Sequence, residues 1–296
     1  MPSLLVTGAH GQLGTDLRTV AAERGVTVAA FGSGELDITD PVEVDSTLAA
    51  FAHDHPGGVV VNAAAYTAVD NAETDTDAAY AVNATGPGLL AAAAAEHGLG
   101  LIHVSTDYVF PGDATTPYEP TDPTGPNSVY GASKLAGEQA VLAAHPGAHV
   151  VRTAWVYGAT GGNFVKTMCA LEKKLPTIAV VDDQTGSPTW SYDLAAGLIE
   201  LAGSDVPGGV LHGTNAGDTT WFEFTKAIYL EIGADPDRVT PTTTDKFPRP
   251  APRPAYSVLS PTAWNAAGLT PLRPWREALA AAFGGHRDAF VPAAPG

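Results

Sequence analysis

Cysteine and basic residues are scarce in this chain. Its single cysteine, Cys169, excludes a disulfide within the 296 residues and offers no cysteine cluster for zinc. Lysine and arginine number 15 against 32 aspartates and glutamates, and the formal net charge is −17. Such an acidic chain is disfavoured as a general partner of nucleic acid or of an anionic membrane. Any site for an anionic ligand must therefore be built locally.

Long apolar runs are missing as well. No run approaches the roughly 20 residues of a membrane span, and no basic segment precedes the first apolar residues. Hydrophobic residues make up 45% of the chain, which suffices for a substantial core in one large α/β domain or two smaller ones. These features predict a cytoplasmic protein that binds neither membrane nor nucleic acid.

Apolar strand-like runs alternate with helical stretches through the first half of the chain. Strands are predicted at 3–7, 27–31, 59–62, 101–105 and 149–153, with helices at 15–24, 42–51, 75–97 and 130–144. This alternation is typical of parallel βαβ units and predicts an α/β fold with a Rossmann-like, doubly wound parallel sheet. Five prolines interrupt residues 239–254, so we predict an ordered loop there and no regular structure.

A glycine-rich turn follows the first predicted strand. It has the spacing Gly-x-x-Gly-x-x-Gly, and a helical pattern begins directly after it. A turn of this kind lets backbone N–H groups approach a pyrophosphate, whose charge the helix N-terminus favours. We interpret it as a dinucleotide site rather than a plain tight turn. The predicted contacts are Gly8, Gly11, Gln12, Leu13 and Gly14.

Tyr130 and Lys134 stand four residues apart in a predicted helix, which puts them on one face, one turn apart. The Lys134 ammonium is expected to lower the pKa of the Tyr130 phenol and make it a proton donor near neutral pH. Thr106 ends a predicted buried strand, and the carboxyl ends of parallel strands share one crevice. It would therefore reach the same crevice as the glycine turn. The alternatives are a surface Tyr–Lys pair and a simple strand cap.

The glycine turn, the strand-end hydroxyl and the Tyr-x-x-x-Lys pair, in this order, resemble the extended short-chain dehydrogenase/reductase family. Further runs are similar to the dTDP-4-dehydrorhamnose reductases within it: LDITD (36–40), NAAAYTAVD (62–70), STDYVF (105–110), RTAWVYG (152–158), NFVKTM (163–168) and DDQTGSPT (182–189). The resemblance covers residues 4–280. It implies reduction of the 4-keto group of dTDP-4-dehydro-6-deoxy-L-mannose to dTDP-L-rhamnose by NAD(P)H, catalysed by Thr106, Tyr130 and Lys134. Tyr130 would donate the proton, Thr106 would hydrogen-bond the same oxygen as half of an oxyanion site, and Lys134 would hold the nicotinamide ribose.

The end of the second predicted strand usually selects between NAD and NADP. Residues 31–34 contain neither an acidic residue nor an arginine there. NADPH is therefore the expected cofactor and NADH an alternative. Ser33 is a candidate donor to the 2′-phosphate. The resemblance adds Asp37 and Ile38 beside the adenine, and Ala63, Ala64 and Ala65 as small residues along which the cofactor passes; plain packing residues are the alternative.

The resemblance also implies a substrate pocket for the sugar and its diphosphate. Its predicted lining is Thr67, Val69, Thr106, Asp107, Tyr108 and Trp155. Arg253 would pair with the diphosphate, because a guanidinium binds phosphate bidentately. A core role for Trp155 and a plain surface role for Arg253 are the alternatives. No metal ligand is assigned. Some relatives bind Mg²⁺ between subunits through glutamates, but here Asp16 replaces one of them and Tyr192–Asp193 makes the second ambiguous. Dependence on Mg²⁺ and the choice between a monomer and a homodimer therefore stay open.

These interpretations divide the chain. We predict an NAD(P)-binding core over 1–158 together with parts of the later chain, a smaller and mostly substrate-binding C-terminal region over 159–283, and a disordered tail over 284–296. A nucleotide-sugar 4,6-dehydratase or epimerase is the disfavoured rival within the family, since dehydratases need a Thr-Asp-Glu sequence where this chain has Thr106-Asp107-Tyr108. Two alternatives stay open, namely a reductase of another dTDP-4-keto-deoxysugar and a non-catalytic NADP-binding regulatory subunit.

Overall fold

Strands and helices alternate in the first half of the computed structural model, which describes residues 1–291. The first elements are β1 (Leu4–Thr7), α1 (Gln12–Glu23), β2 (Val28–Phe31), α2 (Pro41–Asp54), β3 (Val59–Asn62), α3 (Val69–Ala72), α4 (Thr76–Tyr80), α5 (Gly86–Glu96), β4 (Gly100–Thr106), α6 (Val129–Ala144), β5 (His149–Thr153) and β6 (Val156–Tyr157). They are followed by α7 (Phe164–Glu172), β7 (Ile178–Val181), β8 (Thr185–Gly186), β9 (Thr189–Trp190), α8 (Ser191–Ala202), β10 (Gly209–His212), β11 (Thr219–Thr220), α9 (Trp221–Ile232), β12 (Val239–Thr242), α10 (Thr262–Ala266) and α11 (Trp275–Phe290).

Six strands form one parallel sheet in the order β10-β5-β4-β3-β1-β2. The predicted doubly wound parallel sheet is confirmed, and each strand predicted in the first half of the chain is present. β1 pairs with β2 on one side and with β3 on the other. Connections from neighbouring strands therefore leave this point towards opposite faces of the sheet. A crevice opens there, beyond the carboxyl ends of the strands.

Both faces of the sheet are covered, which explains why β1 and β3 are continuously apolar rather than alternating. Leu4 of β1 belongs to a buried cluster with Leu17 of α1 and Leu198 of α8. The next residue, Leu5, belongs to the cluster on the other face, with Leu48 of α2. Each fully buried side chain of this size contributes about 1.5–3 kcal/mol. The two layers fix the strand ends, and with them the loops that follow.

A separate apolar cluster lies outside the main sheet. It joins Val165 of α7, Val180 of β7, Ile228 of α9 and Leu279 of α11. From the later chain, α8 packs on the main sheet and β10 extends it. The boundary at residue 158 stays a prediction. Within residues 1–291, no helix has both the length and the apolar character needed to cross a membrane.

Two predictions about the later chain are wrong. Residues 239–242 form a strand, β12, which pairs in parallel with β7. Pro241 is tolerated because β12 has β7 as its single partner, so the missing N–H faces away from the ladder. The predicted disordered tail does not begin at residue 284 either. Helix α11 continues to Phe290, which is 1% exposed and packs on Phe283. The remainder of the predicted tail, 292–296, lies outside the described residues.

The predicted helix over 75–97 is divided. A π-helical turn, Ala81–Thr85, separates α4 from α5. Asn83, in this turn, is completely buried, and its side chain accepts a hydrogen bond from Tyr66 N and donates to Tyr66 O. The interruption therefore ties the helix to the segment that follows β3. That segment lines the crevice.

Candidate active site

A cleft of about 740 Å³ occupies the crevice at the carboxyl ends of β1, β3 and β4. The predicted cofactor and substrate residues lie together there, with the exception of Arg253. The shared lining consists of Gly8, Gly11, Gln12, Leu13, Gly14, Ser33, Asp37, Ile38, Ala63, Ala64, Ala65, Thr67, Val69, Thr106, Asp107, Tyr108, Tyr130, Lys134 and Trp155. Residues from six separate stretches of sequence thus converge on one cavity.

The glycine turn packs tightly against the segment that follows β3. Gly8 has a φ of +66°, and a Cβ there would lie 2.7 Å from the backbone of Ala63. At Gly14 a Cβ would lie 2.2 Å from the carbonyl oxygen of Gly8. Helix α1 begins after Gly11 without a side-chain cap, so its first N–H groups remain available to a ligand. This cradle fits the pyrophosphate of a dinucleotide.

The end of β2 differs in one respect from what the local sequence predicts. The Glu35 carboxylate folds back and accepts a hydrogen bond of 2.7 Å from Gly32 N. It also contacts His10 Nε2 at 3.1 Å, and His10 lines the cleft. An acidic group therefore stands beside the strand end although residues 31–34 contain none. Glu35 directly follows that segment, and the turn of residues 32–35 brings its carboxylate back to the end of the strand.

The three predicted catalytic residues are held by buried contacts. Lys134 is 2% exposed, and its ammonium donates to the carbonyl oxygen of Val104 at 2.6 Å. The Thr106 hydroxyl donates to Asp107 Oδ1 at 3.0 Å and accepts from Tyr108 N at 3.2 Å. The ring of Tyr130 meets that of Tyr108 edge-on, with centroids 5.5 Å apart. Helix α6 and the end of β4 therefore present Tyr130 and Thr106 to the same cleft.

The start of α6 is fixed by two side chains. Ser128 caps the helix by accepting from Gly131 N at 3.1 Å, and Glu73 accepts from Val129 N at 2.8 Å. A Cβ at Gly131 would lie 2.2 Å from the carbonyl oxygen of Tyr108, so the helix approaches that loop as closely as backbone allows. This close approach brings Tyr130 next to the end of β4.

The pKa values of Tyr130 and Lys134 differ from the prediction. Burial raises the pKa of Tyr130 to about 12, although hydrogen bonding by Thr106 lowers it in part. Burial also lowers the pKa of Lys134 to about 8, against the opposing charge of Glu138. The expectation that Lys134 makes the phenol acidic is therefore wrong in this state. Burial dominates, and the lysine ammonium is directed to a backbone oxygen. Tyr130 keeps its proton at neutral pH, as a proton donor must.

A second cavity, of about 900 Å³, adjoins the cleft, since Tyr108 and Trp221 line both. Arg253 lies in this second cavity. Its Nη2 is 2.9 Å from Asp70 Oδ1, and its Nη1 donates to the carbonyl oxygen of Ala251 at 2.9 Å. The predicted diphosphate partner is thus near the cleft but already ion-paired.

Sequence reasoning missed three contributors to the site. His10 stands within the glycine turn, and Asp70 stands at the end of the run NAAAYTAVD, so each had a local signal. Trp221 had none. It begins α9, far along the chain from Trp155, yet the two indole rings stack with centroids 3.5 Å apart.

The two positions considered for magnesium are occupied by internal contacts. Asp16 is 7% exposed, accepts a short hydrogen bond from Ser191 Oγ and has a pKa raised by burial. Asp193 contacts Arg273 Nη2 at 2.8 Å and accepts from Asn215 at 2.8 Å. In the part of the chain that the structure describes, no three His, Cys, Asp or Glu side chains are grouped to hold a metal ion.

The parallel sheet, the glycine cradle, and Thr106, Tyr130 and Lys134 in one cleft define a nicotinamide-dependent oxidoreductase of the extended short-chain dehydrogenase/reductase type. Comparison with known proteins agrees and narrows the class. The chain belongs to the family described as RmlD substrate binding domain, whose model matches residues 2–286.

Relatives and solved structures extend this similarity over nearly the whole chain. The dTDP-4-dehydrorhamnose reductase of Mycobacterium tuberculosis H37Rv is 54% identical over 284 residues, which cover 94% of this chain and 91% of the relative. A Streptomyces antibioticus protein, named probable dTDP-4,6-dihydroxy-2-methyloxan-3-one 4-ketoreductase, is 52% identical over 280 residues and 94% of each chain. The structure of Bacillus anthracis dTDP-4-dehydrorhamnose reductase in complex with NADP superposes with a TM-score of 0.89 at 36% identity, covering 96% of this chain and 99% of that one.

Proposed function

We propose that this chain reduces the 4-keto group of dTDP-4-dehydro-6-deoxy-L-mannose to dTDP-L-rhamnose, with NADPH as cofactor and NADH as an alternative. The observation that supports this most directly is the placement of Thr106, Tyr130 and Lys134 in one cleft with the glycine cradle. The names of the relatives from Mycobacterium tuberculosis and Bacillus anthracis support the same reaction.

The cofactor would lie along the glycine turn. N–H groups at the start of α1 would receive its pyrophosphate, and Ala63 and Ala64 leave room for its passage. Ser33 and His10 line the part of the cleft beside the end of β2, where the adenosine ribose would lie. Lys134 would hold the nicotinamide ribose. When bound, the reduced nicotinamide would supply the hydride.

Tyr130 would move the proton. As the carbonyl carbon is reduced, the C=O electron pair passes to oxygen, and the Tyr130 phenol donates its proton to that oxygen. The Thr106 hydroxyl would donate a hydrogen bond to the same oxygen and stabilise the charge that develops there. The raised pKa of Tyr130, about 12, keeps the donor protonated before the reaction. Solvent would then restore the proton on the phenol.

The nucleotide part of the substrate would extend into the 900 Å³ cavity. Arg253 lies at this cavity beside Tyr108, which also lines the catalytic cleft. A diphosphate between the two cavities would meet the Arg253 guanidinium, which pairs phosphate bidentately. The diphosphate would then bind Arg253 either together with Asp70 or in place of it. This cation is a local attraction for an anionic substrate in a chain whose net charge is −17.

A reductase of another dTDP-4-keto-deoxysugar is the second candidate. It is favoured by the 52% identity to the Streptomyces antibioticus 4-ketoreductase, which is nearly that of the Mycobacterium tuberculosis relative. A non-catalytic NADP-binding subunit is the third. It is disfavoured because Thr106, Tyr130 and Lys134 all lie in the cleft.

The proposal also covers where the protein acts, what it binds and which region of the chain binds each ligand. We place the reaction in the cytoplasm, with a dTDP-sugar as substrate, neither nucleic acid nor membrane as partner, and a monomer or homodimer as the working unit. Residues 1–158 would mostly bind the cofactor, and residues 159–283 would mostly bind the substrate. The strongly acidic composition supports the exclusion of nucleic acid.

The experiment that tests the function mixes purified protein, NADPH and enzymatically prepared dTDP-4-dehydro-6-deoxy-L-mannose. Loss of reduced-nicotinamide absorbance with formation of dTDP-L-rhamnose is the expected result, and parallel runs use NADH or added Mg²⁺. Turnover of a different dTDP-4-keto sugar alone would favour the second candidate. NADPH binding without oxidation of any dTDP-4-keto sugar would favour the regulatory subunit.

A further inference from the structure

Trp155 has an unusual backbone conformation. Its φ of +48° is the one positive value found for a non-glycine residue within residues 1–291. A left-handed conformation is strained for a bulky side chain, and it persists where the surrounding structure enforces it. Trp155 lies between β5 and β6 and lines the catalytic cleft. Its indole therefore reaches the cleft through a backbone turn that needs support from elsewhere.

A neighbouring two-stranded sheet supplies this support. The indole rings of Trp155 and Trp221 stack with centroids 3.5 Å apart and planes 7° from parallel. Trp221 directly follows β11, and β11 pairs with β8 so that Thr219 stands opposite Gly186. At Gly186 a Cβ would lie 2.4 Å from Cε2 of Trp155. The β8–β11 sheet thus places both the stacking ring and the glycine that leaves room for the Trp155 indole.

Trp221 also stands between the two cavities. It lines the 740 Å³ cleft and the 900 Å³ cavity, whereas Trp155 lines the cleft and Phe164 lines the second cavity. The ring of Phe164 packs against Trp221 with centroids 4.2 Å apart. The three rings form a continuous aromatic wall that runs from the catalytic cleft to the second cavity.

We propose that Trp221 is a positioning residue that holds Trp155 in its left-handed conformation, so that the Trp155 indole forms a wall for the sugar ring of the substrate. The proposal rests on the proposed function, because it assigns the sugar to the part of the cleft beside Trp155. The favourable free energy of an aromatic stack is similar in size to the strain of a left-handed residue. Loss of Trp221 therefore lets Trp155 relax to a negative φ and turns its indole away from the cleft.

A double-mutant cycle tests whether Trp221 acts through Trp155. The variants are Trp221→Ala, Trp155→Ala and the double variant, and the quantity measured is kcat/KM for the dTDP-4-keto sugar. Each single variant is expected to lose about tenfold, the upper range for one ring pair. The double variant should lose no more than about twofold beyond Trp155→Ala, because the second residue then has nothing to position. Losses that simply multiply in the double variant, or an unchanged Trp221→Ala, would overturn the proposal.

Further readouts separate positioning from general stability. Trp221→Phe keeps a ring for stacking and should retain kcat/KM within about threefold. KM for NADPH should stay unchanged in all variants, since the cofactor residues lie on other elements. A parallel loss of NADPH affinity would reveal a merely structural role. Should Trp221→Ala fail to fold, Trp221→Leu keeps apolar bulk without a flat ring, and wild-type kcat/KM in that variant would equally contradict the proposal.

Near-ultraviolet circular dichroism tests, without substrate, the stacked pair on which the proposal depends. Deleting either indole breaks the same stacked pair, so Trp155→Ala and Trp221→Ala should lose the same spectral component. Unequal changes, with Trp221→Ala close to wild type, would refute the positioning role. A wild-type protein that oxidises no NADPH with the keto sugar would refute the proposed function, and the spectral comparison would still test the Trp155–Trp221 stack that the positioning role requires.

Discussion

The guanidinium of Arg253 lies 2.9 Å from the carboxylate of Asp70, although the two residues are 183 positions apart in the sequence. Asp70 also accepts from Ala251 N at 3.3 Å. One carboxylate therefore holds both the side chain and the backbone of the proline-rich segment beside the second cavity. This contact fixes the position from which Arg253 would meet a diphosphate.

Arg253→Lys tests the diphosphate role. Lysine keeps the charge but loses the planar fork that binds phosphate bidentately. We expect KM for the dTDP-sugar to rise about tenfold, the equivalent of about 1.4 kcal/mol, with KM for NADPH unchanged. Arg276→Lys is the matched control, because Arg276 lies over the ring of Trp275 on α11 and lines neither cavity. Equal KM values for Arg253→Lys and the control would rule out the diphosphate role.

Tyr130→Phe tests the proton donor. The variant loses the hydroxyl and keeps the ring that packs edge-on against Tyr108. A positioned general acid typically contributes about 10²–10⁴-fold, so kcat should fall by about a thousandfold. NADPH affinity, measured by fluorescence titration, should remain near wild type. Tyr80→Phe, on the exposed side of α4, serves as the control. Turnover at the wild-type rate in Tyr130→Phe would end the assignment.

The sheet and the glycine turn could be predicted because they depend on local patterns, whereas the family resemblance implied most of the other cleft residues. Apolar runs ending in Thr7 and Thr106 identify parallel strands whose carboxyl ends lie at one edge of the sheet. The loops that follow these strands therefore line the same cleft. Helical spacing places Tyr130 and Lys134 on one face, and the glycine turn together with Thr106 favours a catalytic pair over a surface pair. The Trp155–Trp221 stack and the Asp70–Arg253 pair depend on how distant segments pack, and no periodicity encodes that. The pKa of Tyr130 was predicted in the wrong direction because burial, which spacing does not reveal, outweighs the neighbouring lysine.

Glu35→Gln should shift the cofactor preference towards NADPH. The Glu35 carboxylate accepts from Gly32 N at the end of β2, close to where a 2′-phosphate would lie. Removing its charge removes a repulsion, although Glu35 is exposed and solvent screens the effect. We expect the ratio of kcat/KM for NADPH over NADH to rise about threefold. Glu96→Gln, at the end of α5 away from the cleft, removes the same charge and should leave the ratio unchanged. A ratio that moves equally in both variants would indicate a general charge effect.

Asp107→Asn should change how stability depends on pH. Burial raises the pKa of the Asp107 carboxyl from 3.8 to about 6, more than the nearby hydroxyls of Ser257 and Thr106 lower it. Between these two values the folded state binds more protons at this group than the unfolded state. Its contribution to stability is therefore full below pH 3.8 and is lost as the pH rises through about 6.

The asparagine variant lacks this titration, so its stability relative to wild type should improve with pH. The expected gain between about pH 4 and about pH 7 is on the order of 3 kcal/mol in the free energy of unfolding. Urea denaturation of both proteins across this range measures it, and the difference between the two cancels the titration of the other carboxylates. Asp205→Asn, in an exposed loop, is the control and should show no such trend. A constant difference between Asp107→Asn and wild type at every pH would mean that Asp107 titrates alike in the folded and unfolded states.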